Sequence, residues 1–270
     1  MKTILAINEE EYIIGKNSGK MVSMFFPEDC SQNCTFCTTK HLYKDINKTK
    51  FKKTLLKIAK SDIEEVIFTG GEPLLNITLL KEYLEIVKNK TVYINTYFLD
   101  NIDKAIEIFN IYNNIKGINI SRHSLDTINI DKILQIDKPI RINIVNYKIS
   151  DIYKYVNLWK NYKNIELTFR EDYRTVNANN IYDFQTDTLI YLTTNYDLYS
   201  QVYCHVCNKY MFKLKNGFVI RYHRGLPNTR IKIGVLTEIQ EFVVFPNGKL
   251  CTDWDGTTNG LKEISKILKL

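Results

Sequence analysis

Cys30-Ser-Gln-Asn-Cys34-Thr-Phe-Cys37 is the stretch that decides the reading of this chain. It follows an apolar run, residues 21–26, with the look of a buried strand, so three thiols stand on one short loop at a strand's end. Thiolates at CxxxCxxC spacing can hold three corners of an iron–sulfur cube and leave the fourth iron without a protein ligand. An open metal corner is where a small molecule binds and reacts. The same thiols are compatible with a zinc site that borrows a fourth ligand such as His41.

Past a lysine-rich helical stretch the chain reads Glu64-Glu-Val-Ile-Phe-Thr-Gly-Gly-Glu-Pro73. This is a buried strand that ends in Gly70, Gly71 and Glu72. Glycines at a strand's C-terminal end let a ligand approach the backbone, and Glu72 offers an acceptor to an ammonium group. Alone, Gly-Gly-Glu-Pro reads as a plain turn. Downstream of CxxxCxxC it resembles, together with that motif, the radical S-adenosylmethionine superfamily, over residues 21–172.

The resemblance implies a role for each matching residue. Cys30, Cys34 and Cys37 would bind a 4Fe–4S cluster, with Phe36 as the aromatic residue before the last thiol. The open iron would chelate the amino and carboxylate groups of S-adenosylmethionine. Gly70, Gly71 and Glu72 would hold the methionine amino group. Asn95, Ser121 and Asn143, at the third to fifth strands, would contact the rest of this cofactor. Arg122, His123, Arg170 and Glu171 would face substrate. A flavodoxin- or ferredoxin-type donor would supply the electron that cleaves the cofactor reductively, and a substrate carbon would then lose a hydrogen atom. A non-catalytic iron–sulfur or zinc module has no need of an ammonium site, so Glu72 argues for an enzyme.

Composition sets the outer bounds. The 270 residues are 44% hydrophobic and 25% charged, which suits one large domain, or one with a small appendage. The net charge of +7 comes from scattered lysines, not from a basic arm, so nucleic-acid binding is not expected. No stretch approaches the ~20 apolar residues of a membrane span. Six cysteines without a visible signal peptide set the expectation of a reducing cytoplasm, with thiols as metal ligands.

Strand patterns at residues 22–26, 65–69, 91–97, 117–121, 139–146 and 165–170 alternate with helical patterns at 51–59, 74–88, 100–112, 128–134 and 150–162. Asn76 and Asp100 are expected N-caps. Alternating β and α units imply a parallel sheet with right-handed crossovers. The expected fold is α/β, a partial (β/α)6 barrel over residues 1–172. Residues 173–270 are expected to form a closing segment and a small C-terminal cysteine-bearing β-rich appendage.

In that appendage Cys204 and Cys207 form CxxC, and Asn-Gly turns mark two hairpins that carry His223 and Cys251. CxxC with Cys and His on nearby strands is the arrangement of a tetrahedral zinc site, so Cys204, Cys207, His223 and Cys251 are expected zinc ligands. The region also resembles the tail of the GTP cyclase of molybdenum-cofactor synthesis. There a third cysteine helps to hold a second 4Fe–4S cluster, but here no such cysteine follows Cys207 closely.

The resemblance leaves the substrate open. Compact size, a Tyr- and Phe-rich closing segment and polar strand-end groups set the expectation of a small heterocycle, a 7-deazaguanine or purine base, with C–N cleavage of the queuine lyase type. Glu171 or Asp172 would pair with the amine of that base. The alternative is an enzyme that modifies peptides or proteins, glycyl-radical activases included.

Overall fold

The structure is a computed structural model that describes residues 3–7, 10–14, 20–37, 39–122, 129–145, 147–170, 181–204, 209–223, 230–233, 236–239, 241–252 and 254. His123, Glu171, Asp172 and Cys207 lie outside these residues. The chain divides into two compact units. The first holds Met1–Asn33, Cys37–Lys116 and Asn228–Leu270, and the second holds Cys34–Phe36 and Gly117–Pro227.

In the first unit the parallel strands are β3 (Met21–Phe25), β4 (Glu65–Thr69) and β5 (Thr91–Thr96). They are linked by α1 (Lys48–Lys60) and α2 (Ile77–Ile86), and α3 (Ile102–Ile111) follows β5. This is the β/α alternation expected from the periodicity. α1 forms because Phe51, Leu55 and Ile58 recur on one face, and all three are buried. Phe51 stacks on Tyr83 of α2 at 5.4 Å between ring centroids, and Phe26 meets the same ring edge-on at 5.5 Å. Full burial of such a side chain contributes about 1.5–3 kcal/mol.

The expected caps fare differently. The Asn76 side chain accepts from the Leu79 N–H at 3.0 Å and starts α2, with a 3-10 turn, Pro73–Asn76, placed before it. Asp100 does not cap α3. Asn101 holds that position in a left-handed conformation, φ 49°, and its side chain donates to the Leu74 carbonyl at 2.6 Å. The Asp100 carboxylate instead accepts from the Ser31 hydroxyl at 3.3 Å.

The second expected hairpin joins this sheet by a pairing that the sequence does not reveal. β14 (Glu241–Val244) runs parallel to β3, with Val22 opposite Phe242, and β15 (Leu250–Cys251) pairs antiparallel with β14. The order is β15-β14-β3-β4-β5. A separate small sheet, also in this unit, has the order β1-β2-β13-β12, from β1 (Thr3–Ile7), β2 (Glu10–Ile14), β12 (Arg230–Ile233) and β13 (Leu236–Ile239).

The second unit continues the same logic. β6 (Ile115–Ser121), β7 (Ile140–Val145), β8 (Ile165–Arg170) and β11 (Val219–His223) are parallel neighbours, and β10 (Lys209–Leu214) and β9 (Leu198–Cys204) follow antiparallel. α4 (Ile130–Ile133), α5 (Ile152–Trp159) and α6 (Ile181–Asn195) are its helices. Tyr155 of α5 packs edge-on against Phe169 at 6.2 Å, so the Ile142, Leu167 and Phe169 side of the sheet is apolar. The alternate residues are polar: Arg141 faces Glu166, and Ser121, Asn143, Thr168 and Arg221 stand in register on successive strands. Arg221 donates to Glu166 from Nε at 2.8 Å and Nη2 at 3.3 Å, and holds its carboxyl below the usual carboxylate range against the opposing effect of burial.

Both Asn-Gly turns close the expected hairpins. Gly217 and Gly248 have φ 87° and 81°. A Cβ on Gly217 would meet nothing within 4 Å, whereas one on Gly248 would lie 2.6 Å from the carbonyl carbon of Lys50 at the start of α1. Thr54 fixes the second turn further, donating to the Gly248 carbonyl at 2.7 Å. Gly217→Ala is therefore expected to cost about 1–2 kcal/mol, the left-handed penalty alone. Gly248→Ala should cost clearly more, because backbone must move. Urea denaturation of the two variants measures the gap, and equal losses would show that the turn is not seated on α1.

Candidate active site

Gly70 and Gly71 follow β4 with φ 58° and 51°, two successive left-handed residues that only glycine adopts easily. A Cβ on Gly70 would lie 2.1 Å from Phe25 Cδ1 and 2.7 Å from Tyr43 Oη, and one on Gly71 would lie 2.0 Å from the Glu28 carbonyl oxygen. The missing Cβ atoms thus make room for the protein's own Tyr43 and for the chain that leads to Cys30. Ligand contact at this turn is left to backbone groups.

Glu72 is 1% exposed. Its carboxylate accepts from the Thr96 hydroxyl at 2.7 Å, the Leu74 N–H at 3.0 Å and the Tyr97 N–H at 2.6 Å. It therefore caps the turn after β4 and ties it to the end of β5. Burial raises its pKa, only partly offset by these three donors, and no basic side chain pairs with it among the described residues. A buried acid held by neutral donors fits an ammonium group, whose charge would favour the ionised form.

The sign of its pH dependence follows. A carboxyl raised on folding stabilises the protein fully below its unfolded value, and that stability is lost as pH rises through the folded value. Glu72→Gln cannot ionise. The variant is expected to show a constant offset from the lost acceptor, and its stability relative to wild type should improve as pH climbs from the usual carboxylate range toward neutrality. Urea midpoints across that window, without S-adenosylmethionine, check this; a pH-independent difference would contradict it.

The cysteine loop lies between β3 and a 3-10 turn, Lys40–Lys44. Cys30 and Cys34 are half-buried and Cys37 is exposed, and none is in a disulfide. The Cys30 sulfur accepts the Gln32 N–H at 3.4 Å, and Cys37 Sγ lies 3.6 Å from Thr39 Oγ1. Among the described residues no three His, Cys, Asp or Glu side chains already converge as on a single ion. A cube does not need that, because its thiolates bind three different irons. Three thiols on one accessible loop, none in a disulfide, together with a buried acid fit a 4Fe–4S cluster with S-adenosylmethionine.

Tyr43 was not singled out by the sequence. Its ring lies against Gly70 and Gly71, and its hydroxyl is buried with no hydrogen-bond partner among the described residues. Burial first, then the negative groups Cys30, Cys37, Asp29 and Glu72, push its pKa well above the usual phenol value, so the proton stays on.

The other expected residues fall as follows. Asn95 is half-buried and donates to the Thr69 hydroxyl at 2.9 Å. In the second unit Ser121 is half-buried, Asn143 is buried in register beside it, and Arg170 stands opposite His223. Phe36 is half-buried, and Arg122 is 1% exposed. Thr168, buried next to Asn143, was missed; its hydroxyl has no partner among the described residues. Of the expected zinc ligands, Cys204 is described in its backbone alone. His223 is buried in the second unit. Cys251 is buried in the first, within an apolar cluster of Phe25, Val243 and Phe245.

The radical SAM superfamily model matches residues 24–165, and the chain belongs to that superfamily. The three thiols of the cysteine loop and the Gly70–Gly71–Glu72 turn fall within the matched residues. The crystal structure of Streptococcus suis SuiB aligns over 93% of this chain and 64% of its own at TM-score 0.58 and 13% identity. SuiB bound to S-adenosylmethionine aligns over 88% of this chain and 59% of its own at TM-score 0.58 and 15% identity. The chain thus spans less than two thirds of the length of these structures. The likeness shows the fold: a partial α/β barrel with an unclosed, largely parallel sheet and antiparallel C-terminal strands. No curated protein matches the chain. No helix among the described residues is long and apolar enough to cross a membrane.

Proposed function

We propose that the chain abstracts a hydrogen atom from a small heterocyclic substrate, a 7-deazaguanine or purine base, in a C–N cleavage of the queuine lyase type. The observation that carries this reading is the polar row of the second unit. Ser121, Asn143 and Thr168 stand in register, and the buried Thr168 hydroxyl has no partner among the described residues. Next to the cofactor residues Ser121 and Asn143, the Thr168 hydroxyl offers both a donor and an acceptor to the edge of a flat base. A ligand that met it would remove the cost of leaving it unmet.

The cofactors supply the one-electron cleavage and the hydrogen-abstracting species. The chain's part is to bind and orient. Cys30, Cys34 and Cys37 would hold three irons, Glu72 would receive the methionine ammonium, and the Gly70–Gly71 backbone would border it. Ser121, Asn143 and Asn95 would hold the rest of the cofactor, and Arg122, His123, Arg170 and Glu171 the substrate. The electron would come from an acidic flavodoxin- or ferredoxin-type donor. A lysine stripe suits such a partner: Lys50, Lys53, Lys57 and Lys60 are exposed on the face of α1 away from Phe51, Leu55 and Ile58.

The test is anaerobic reconstitution with reductant and S-adenosylmethionine, followed by challenge with queuine, purines and peptides. Stimulated 5′-deoxyadenosine release with a smaller deazaguanine product supports the reading. Release stimulated by a peptide and by no heterocycle overturns it in favour of a peptide-modifying enzyme. For the second cysteine group we propose one zinc per chain, bound through Cys204 and Cys207. Elemental analysis should find zinc beside the iron; no zinc, with iron at about twice the content of one cluster, points to a second cluster there.

A further inference from the structure

We infer that two copies of this chain pair along β9, edge to edge and antiparallel, about a two-fold axis at Gln201. In the second unit β9 (Leu198–Cys204) ends the strand order β8-β11-β10-β9. One side of it is bonded to β10, from Cys204 opposite Lys209 to Leu198 opposite Leu214. Among the described residues no strand bonds to its other side, so a row of backbone N–H and C=O groups stands open there. Exposure agrees: Tyr199 is 73% exposed and Val202 51%, and Gln201 between them is exposed as well.

Open edges are ordinarily blunted with lysine, proline or an inward-pointing charge. β9 reads Leu-Tyr-Ser-Gln-Val-Tyr-Cys and has no charged residue, no proline and no glycine in its 7 positions. Such an edge is a pairing site, and its backbone groups call for another extended strand. The charges beside it are engaged within the chain. Lys213 Nζ stands over the Tyr199 ring, 5.9 Å from its centroid, and Lys215 pairs with Asp197.

The sequence of β9 selects its own copy as that strand. The chain carries a net charge of +7, so a self-paired surface has to be free of like charges face to face, and β9 is. An axis at Gln201, the middle of the strand, gives every residue a partner: Leu198 opposite Cys204, Tyr199 opposite Tyr203, Ser200 opposite Val202. Aromatic residues directly opposite each other are a favourable cross-strand pair. Gln201 meets its own counterpart, and a primary amide both donates and accepts, so the two side chains complement each other. Within the chain Gln201 continues the row of Leu167, Ile220 and Phe212, all buried, and ends it in an exposed amide. Any other axis shortens the overlap. A two-fold pair also consumes the edge of both copies and leaves none for a third.

Analytical ultracentrifugation of the full chain tests this, and it needs neither cofactor nor substrate. The mass of wild type should rise from one chain toward two as its concentration increases. Gln201→Lys and Gln201→Glu each set like charges face to face on the axis, and each variant alone should sediment as one chain. Mixed in equal amounts they should recover the two-chain mass, because lysine then faces glutamate. Ile111→Lys, a charge at an exposed site of α3, is the control and should behave as wild type. Wild type that stays one chain up to ~100 µM overturns the inference. So does a Gln201→Lys chain that still pairs, or a mixture that does not. Wild type that sediments alone yet binds a synthetic extended peptide gives the edge to a peptide instead, and also overturns it. Should Gln201→Lys fail to fold, Gln201→Cys decides. Directly opposed strand residues have Cα atoms about 4.5–5.5 Å apart, within reach of a disulfide. A two-chain species on mild oxidation, reversed by reductant and absent from wild type, supports the pair, and its absence overturns it.

Discussion

Alanine at Cys30, Cys34 or Cys37 is expected to strip the cluster and reduce 5′-deoxyadenosine release to that of the reductant alone. Three protein ligands already leave one iron of the cube open, so a second vacancy exposes another iron to solvent and oxidation. The fold should survive, because the three thiols are half-buried or exposed and contribute little to the core. Iron per chain and the visible absorption band measure the loss, with circular dichroism as the check on folding. A single alanine variant that kept wild-type iron and absorption would mean that these thiols are not the ligands.

Gly71→Ala is expected to be nearly as damaging, by a different route. Alanine at φ 51° costs about 1–2 kcal/mol in backbone strain. Its Cβ would also stand 2.0 Å from the Glu28 carbonyl oxygen. That segment cannot retreat cheaply, for Glu28 is tied down three ways. Its side chain pairs with Lys48 and accepts from Asn76 Nδ2 at 2.7 Å, and its N–H donates to the Phe26 carbonyl at 2.8 Å. Displacing it moves Cys30, two residues on. A total loss of about 3 kcal/mol in stability is expected, with at least about tenfold weaker S-adenosylmethionine binding. Denaturant midpoints and calorimetry read the two effects separately. Unchanged affinity in a destabilised protein would show that the glycine turn and the cysteine loop are not coupled.

Much of the framework was legible because it is local. Periodicity marked the six β/α strands, Asn76 marked a helix start, and two Asn-Gly pairs marked hairpins that the structure closes. Asp100 failed as a cap because its neighbour Asn101 tolerates the left-handed conformation and took the place. The β14–β3 pair was invisible, since parallel pairing across the chain leaves no local turn signal. At the site, Glu72 was found by its motif, but not its role as a clasp between two strand ends, which depends on the Thr96 hydroxyl and the Tyr97 N–H. Tyr43 carries no motif at all; a lone tyrosine in a lysine-rich stretch gains meaning only from the glycines it covers. Arg141, Glu166 and Arg221 alternate with apolar residues in plain view, yet only the register of their strands shows that they form one ion-paired group.

The pairing of β3 with β14 has a consequence for how the molecule is made. Val22 is aligned with Phe242, so the strand that launches the cysteine loop stays an open edge while nearly all the intervening chain is synthesised. Contacts so distant in sequence form late, after a large loop-closure cost has been met. Until then the apolar edge of β3, with Val22 and Met24, invites pairing with other chains.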